Sequence, residues 1–362
     1  MAGIGLPKGP DDVTAEALTE ALRSTGTLSS DGSVARFDFE QIGIGVGVLA
    51  LLWRLTVEYE PAGAGPATMV LKLPHTMPAS RHIADAFRFY LREVRFYEVV
   101  GHRTPLDTAD CYYSAYDDAS GDFVLLMEDF GDRRMVDQVT GVDVDDAKRV
   151  VTALARHHAE WWGSDELAAS DWAVRVQDPP NPQALVPALR ASWPIIESQF
   201  SELLPGPMLA AAQRMPDHVV SLMEQLSQPP LTLLHGDSRL DNFFFTDTVA
   251  VVDWQICGLG RGPYDIAYFL SQSMRPELRK EHERGLLEQY HRTLVDNGVT
   301  DYSFDDCWTD YRKAVLFVSV YPLNAGSVDL VNERAVELFR MMLSRSSQAI
   351  LDLDALEFLP DA

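Results

Sequence analysis

The string His235-Gly236-Asp237-Ser238-Arg239-Leu240-Asp241-Asn242, followed by Val249-Ala250-Val251-Val252-Asp253-Trp254, constrains this chain more than any other feature. Leu231 to Leu234 is a short apolar run, Phe243 to Phe245 a second, and Val249 to Val252 a β-branched third, which together read as strand, loop, strand, turn, strand. Asp237, Asn242 five residues on and Asp253 sixteen residues on each stand at the edge of such a run. One carboxylate to handle a proton and two oxygen ligands for a hard cation are what phosphoryl transfer asks of a protein. The His, Asp and Asn spacing alone arises by chance in roughly one such chain in a hundred. Asp and Asn are also ordinary turn residues, because their side chains bond to nearby backbone. The flanking apolar runs favour a site.

Length and composition fit a two-part enzyme. The 362 residues are enough for two lobes, and 46% hydrophobic residues supply two cores. A net charge of −24 argues against nucleic acid and anionic membranes as partners, since binding either depends on Lys and Arg releasing counterions. That acidity suits a cationic substrate or, more simply, a solvated surface. Three scattered cysteines, Cys111, Cys257 and Cys307, make neither a disulfide framework nor a zinc cluster. With no signal-like N-terminus and no membrane-length apolar run, the expected location is cytoplasmic, with no obligate protein partner evident.

The chain resembles the aminoglycoside phosphotransferase and choline kinase superfamily, in which His-Gly-Asp and Asp-Trp replace the His-Arg-Asp and Asp-Phe-Gly of protein kinases. Gly43-Ile44-Gly45-Val46-Gly47, Leu71-Lys72-Leu73-Pro74, Glu93-Val94-Arg95-Phe96-Tyr97, Leu126-Met127-Glu128-Asp129 and Asp253-Trp254-Gln255 look like landmarks of its ecdysteroid-kinase-like branch, in order, over about residues 35 to 345. The resemblance implies an α+β, two-lobed protein-kinase-like fold, with a small N-lobe of antiparallel sheet plus helix and a larger, mainly helical C-lobe. It implies transfer of the γ-phosphate of ATP, with Mg²⁺, to a hydroxyl of a small-molecule acceptor. The alternatives are an aminoglycoside or amino-alcohol kinase, or a catalytically silent nucleotide-binding pseudokinase. The expected division is 1–127 for the N-lobe, 128–131 for the hinge and 132–362 for the C-lobe.

Along the chain, residues 11–34 read as an amphipathic helix ending in a turn, and Phe37 to Tyr59 as β structure broken by Gly43, Gly45 and Gly47. Glycines let backbone N–H groups approach phosphates closely, and they equally mark bulges. Lys72 stands in the apolar strand Thr68 to Leu73, which is costly unless phosphates and a carboxylate meet its ammonium. Glu93, on a helix expected from about Asp85 to Val100, is the candidate partner. Phe123 to Met127 is a buried-strand pattern. Within the fold implied by the resemblance, Glu128 and Phe130 belong to the hinge that meets the adenine edge. His157 and His158, on a helix expected from Asp145 to Trp162, read as packed residues.

The expected roles follow. Asp237 orients the acceptor hydroxyl and takes its proton, while Asn242 and Asp253 hold the metal. Lys72, fixed by Glu93, holds the α- and β-phosphates. Arg239 reaches the transferring phosphoryl or is a surface cation. Asp265 resembles the family's buried carboxylate that braces the catalytic loop. Because Asp265 follows Asp253 by only twelve positions, there is no room for a long activation segment.

Overall fold

Short polar residues outside the apolar runs cap several helices, Thr14, Asp143, Ser303 and Asn332 among them, and the runs themselves set what is buried. The computed structural model describes residues 4–43, 49–131, 133–324 and 332–359. The chain divides into two compact units: Met1–Arg133 with Val252–Ile256, and Arg134–Val251 with Cys257–Ala362.

In the first unit, helix α1 (Ala15–Ser24) is capped by Thr14, whose side chain accepts from the Ala17 N–H. It is shorter than the span 11–34, because the Gly26 turn (φ +77°) ends it before strand β1. Strands β1 (Ser33–Ile42), β2 (Ala50–Glu60), β3 (Thr68–Pro74), β4 (Cys111–Tyr116) and β5 (Phe123–Glu128) form one antiparallel sheet in the order β1-β2-β3-β5-β4. Alternation along β3 sends Met69, Leu71 and Leu73 into a core shared with Leu18 and Leu22 of α1. Lys72 therefore points to the other face.

The helix expected from about Asp85 to Val100 starts in the last residues of α2 (Pro78–Ala86) and runs on through α3 (Phe89–Arg95). Arg88, at φ +54°, breaks it. Past α3 the chain continues as a wider helical turn over Phe96–Val100.

The second unit is mainly helical. After the two-residue strand β6 (Arg134–Met135), α4 (Val144–Glu160) starts at Asp143, which caps Asp146 N–H. Helices α5 (Asn181–Gln199) and α6 (Gly206–Leu226) pack on each other in the Pro- and Trp-rich stretch. Strand β7 (Thr232–Leu234) leads into the polar loop, followed by β8 (Phe243–Phe245) and β9 (Val249–Val251). β8 pairs with β9 and β6, whereas β7 pairs with β10 (Gly258–Gly260).

Helix α7 (Pro263–Ser273) is buried at every position. It packs against α9 (Phe304–Val318) and α10 (Glu333–Asp352), while α8 (Pro276–Asp296) packs against α4. Among the described residues, no helix is long and apolar enough to cross a membrane.

Candidate active site

The first unit assembles one cluster. Strand alternation aims Lys72 at α3, where Glu93 takes its ammonium at 2.8 Å (Oε1) and 2.7 Å (Oε2). Asp253 Oδ1 approaches the same Nζ at 2.9 Å. Lys72 is 5% exposed and Glu93 fully buried. Burial alone would lower the ammonium's pKa, but the Asp253 and Glu93 carboxylates outweigh it and hold it above its ordinary value. Glu93 is pushed up, because burial costs its charge more than one shared ammonium returns.

Local packing delivers Asp253 to this cluster. Trp254 stacks on Phe96, with centroids 3.8 Å apart and planes 7° apart, and Arg92 donates to the Ile256 carbonyl. Asp253 itself sits at φ +66°. That left-handed backbone is costly for any residue with a Cβ, and Asp is one of the few that visits it.

Of the other residues expected in this unit, Gly43 has φ +65°, while Gly45 and Gly47 lie outside the described residues. Glu128 ends β5 with its carboxylate on Arg133 (2.9 Å) and on the Asp110 N–H (3.3 Å). The Phe130 ring carries the Arg133 guanidinium at 3.9 Å.

The second unit holds the loop that follows β7. Asp265, on the first turn of α7, accepts from the His235 N–H at 2.7 Å and the Gly236 N–H at 2.9 Å. His158 Nε2 bonds the same carboxylate at 3.1 Å, and its Nδ1 meets the Tyr290 hydroxyl at 2.8 Å. His235 Nδ1 accepts from the Asp237 N–H at 3.3 Å, so this imidazole shapes the loop. His157 is buried, and burial pushes its imidazole down to about 3. Both α4 histidines are fully buried, as packed residues would be.

Asp237 is buried, yet burial is overcome. The Arg239 guanidinium grips both its oxygens, at 2.9 and 3.2 Å, and the carboxyl lies below its ordinary value. Tyr268 adds a hydroxyl bond to Asp237. Tyr268 is three positions after Asp265 on α7, so helical spacing was the available sign of its approach. Arg239 is thus engaged with Asp237 in place of the open surface expected as one alternative.

Asn242 donates Nδ2 to the Asp237 carbonyl at 2.8 Å, which leaves Oδ1 as its remaining acceptor. The Asn242 amide oxygen and the Asp253 carboxylate are hard oxygen donors of the kind Mg²⁺ takes. They belong to different units. Among the described residues, no group of three or more His, Cys, Asp or Glu is arranged to hold a metal ion.

The model of the ecdysteroid kinase-like family matches residues 45–160 and 184–300. No curated protein matches the chain by sequence. Among solved structures, a putative aminoglycoside phosphotransferase from Ralstonia eutropha JMP134 is similar with a TM-score of 0.53 at 16% identity, over 93% of this chain and 98% of that one. The GDP complex of wild-type aminoglycoside 2'-phosphotransferase-IIIa is similar with a TM-score of 0.51 at 16% identity, over 86% and 92%. At these identities the likeness concerns the fold, which is α+β and protein-kinase-like.

Proposed function

The chain belongs to the ecdysteroid kinase-like family, and from that premise we propose that it is an ATP- and Mg²⁺-dependent kinase of a small-molecule hydroxyl. The observation that carries this reading is Lys72, a nearly buried ammonium shared between Glu93 and Asp253. A structural ion pair needs one carboxylate. A second one, held in left-handed backbone, fits a group kept for a ligand. That a fold neighbour was solved as a GDP complex agrees with a nucleotide donor.

In this reading Lys72 binds the α- and β-phosphates and Glu93 fixes its direction. From the sequence, Gly43, Gly45 and Gly47 are assigned to the phosphates because glycine lets a backbone N–H approach closely, and the stretch 128–131, the hinge between residues 1–127 and 132–362, is assigned to the base. Asn242 and Asp253 would hold the magnesium ion, which neutralises charge on the transferring phosphoryl. Asp237 accepts a hydrogen bond from the acceptor hydroxyl and takes its proton. A carboxylate of low basicity suffices, because the loose transition state makes little bond to the attacking oxygen and orientation outweighs proton affinity. Arg239 keeps Asp237 ionised and, two residues after it, would reach the transferring phosphoryl.

Asp237→Asn tests this. Mg-ATP binding by calorimetry should persist, while ATP-dependent phosphorylation across hydroxylated metabolites (sterols, sugars, amino alcohols and aminoglycosides) should vanish. Near-normal turnover in the variant would overturn the base assignment. A wild-type chain that binds Mg-ATP but phosphorylates nothing in that screen would instead be a nucleotide-binding scaffold.

A further inference from the structure

Asp237 lies between two anchors of its loop, and both lead to helix α7. The first is Asp265, which holds the His235 and Gly236 N–H groups. The second is less direct. The Leu240 N–H, three residues after Asp237, donates to Gln138 Oε1 at 2.6 Å in a fully buried setting. Gln138 lies on the turn between β6 and α4 and is itself fully buried. Its Nε2 donates to the Gln272 carbonyl at 3.1 Å and to Ser273 Oγ at 3.3 Å, at the last turn of α7.

The turn carrying Gln138 is held in turn by Arg345 of α10. Its Nη1 donates to the Gln138 carbonyl at 2.9 Å and to the Gln272 carbonyl at 3.1 Å, and its Nη2 donates to the Val139 carbonyl at 2.7 Å. Among the described residues no carboxylate pairs with this guanidinium, and it is 6% exposed. Burial and the nearby Arg275 push it down to about 10, against a smaller opposing pull from the Asp137 carboxylate. A buried cation with no carboxylate in direct contact is an expensive way to tie a turn. The Gln272 carbonyl, at the C-terminal end of α7 and carrying its negative partial charge, offsets part of that cost. The fit is tight: Gly141, at φ +81°, would set a Cβ 2.9 Å from the Ser273 carbonyl oxygen and 3.2 Å from Arg345 Nη2.

We propose that Gln138 and Arg345 are positioning residues for phosphoryl transfer: through the Leu240 N–H they fix the far end of the catalytic loop to α7, and so fix Asp237. The role rests on the reading of Asp237 as the base. Displacing a reacting group by about 1 Å costs on the order of 100-fold in rate, so loss of this anchor shows in kcat more than in nucleotide binding.

The test compares Gln138→Met, Arg345→Met and Arg345→Lys with Arg279→Met. Arg279 is also buried, pairs with Glu283 and Asp352, and touches no part of the loop. Native-state hydrogen exchange reads the Leu240 amide, and Mg-ATP hydrolysis by water serves as the turnover probe. The two methionine variants should lose at least about tenfold of Leu240 protection, and kcat should fall about 10- to 100-fold with the KM for Mg-ATP within about twofold. The double variant Gln138→Met/Arg345→Met should fall no further than the worse single one, since both act through one loop position. Arg345→Lys, reaching fewer carbonyls, should be intermediate, and it carries the test where Arg345→Met does not fold. Arg279→Met should match their drop in melting temperature while keeping kcat and Leu240 protection. Unchanged Leu240 exchange in the Arg345 variants, or an equal loss of kcat in Arg279→Met, overturns the proposal. Exchange needs no turnover, so a wild-type chain without kinase activity sinks the kinase reading while the anchor is still judged.

Discussion

Arg239 closes on Asp237 as a fork, Nε to Oδ1 at 2.9 Å and Nη2 to Oδ2 at 3.2 Å. Burial would raise this carboxyl, and Arg239 is the strongest influence that lowers it. In the wild type, Asp237 is therefore ionised down to below the ordinary value of 3.8, and the acid limb of kcat/KM due to this base lies at low pH. Arg239→Met removes the counter-charge and leaves burial in command, so the limb moves to higher pH. The pair also makes the fold lose stability as pH falls through the depressed value, and the variant lacks that dependence. Profiles of kcat/KM from pH 4 to 8 in both proteins check this. Coincident acid limbs would show that Arg239 is not what keeps Asp237 charged.

The Lys72 and Glu93 relationship was legible in the sequence because both ends follow short-range rules. A lone Lys in an alternating strand must face away from the core of Met69, Leu71 and Leu73, and Glu93 sits beside a helical apolar stripe. The break at Arg88 was not legible. No Gly, Pro or Asn stands at that position, and a left-handed Arg is set by tertiary packing. Gln138 and Arg345 were hidden for another reason. Their bonds join residues 102 and 207 positions apart, and a Gln in a polar turn looks solvated until its partners are known.

Glu93 shares one ammonium with Asp253 and is fully buried, so its carboxyl is raised above its ordinary value of 4.5. Between that value and the raised one, the folded chain binds more protons than the unfolded chain, and stability falls as pH rises. Glu93→Gln removes this slope, at most about 1.4 kcal/mol per pH unit for one proton. The variant's stability relative to wild type should therefore increase from pH 5 to pH 8, read from denaturant midpoints at each pH. A relative stability that is flat or declines with pH would mean that Lys72 fully compensates Glu93.

Asp253 combines two separable properties, a left-handed backbone at φ +66° and a carboxylate 2.9 Å from Lys72 Nζ. Asp253→Gly keeps the backbone at no steric cost and removes the carboxylate, whereas Asp253→Ala removes the carboxylate and strains the backbone. In both variants Lys72 retains Glu93. Thermal and denaturant unfolding should place the Gly variant about 1 kcal/mol above the Ala variant. An Ala variant as stable as the Gly variant would show that packing of Trp254 on Phe96 sets this backbone without strain. In calorimetry both variants should bind Mg-ATP at least about tenfold more weakly than wild type, a loss of about 1.4 kcal/mol. Their affinity for ATP in the presence of a chelator should be kept, because Lys72 loses one of its two carboxylate competitors for the phosphates. Equal weakening with and without the metal would assign Asp253 to holding Lys72 alone.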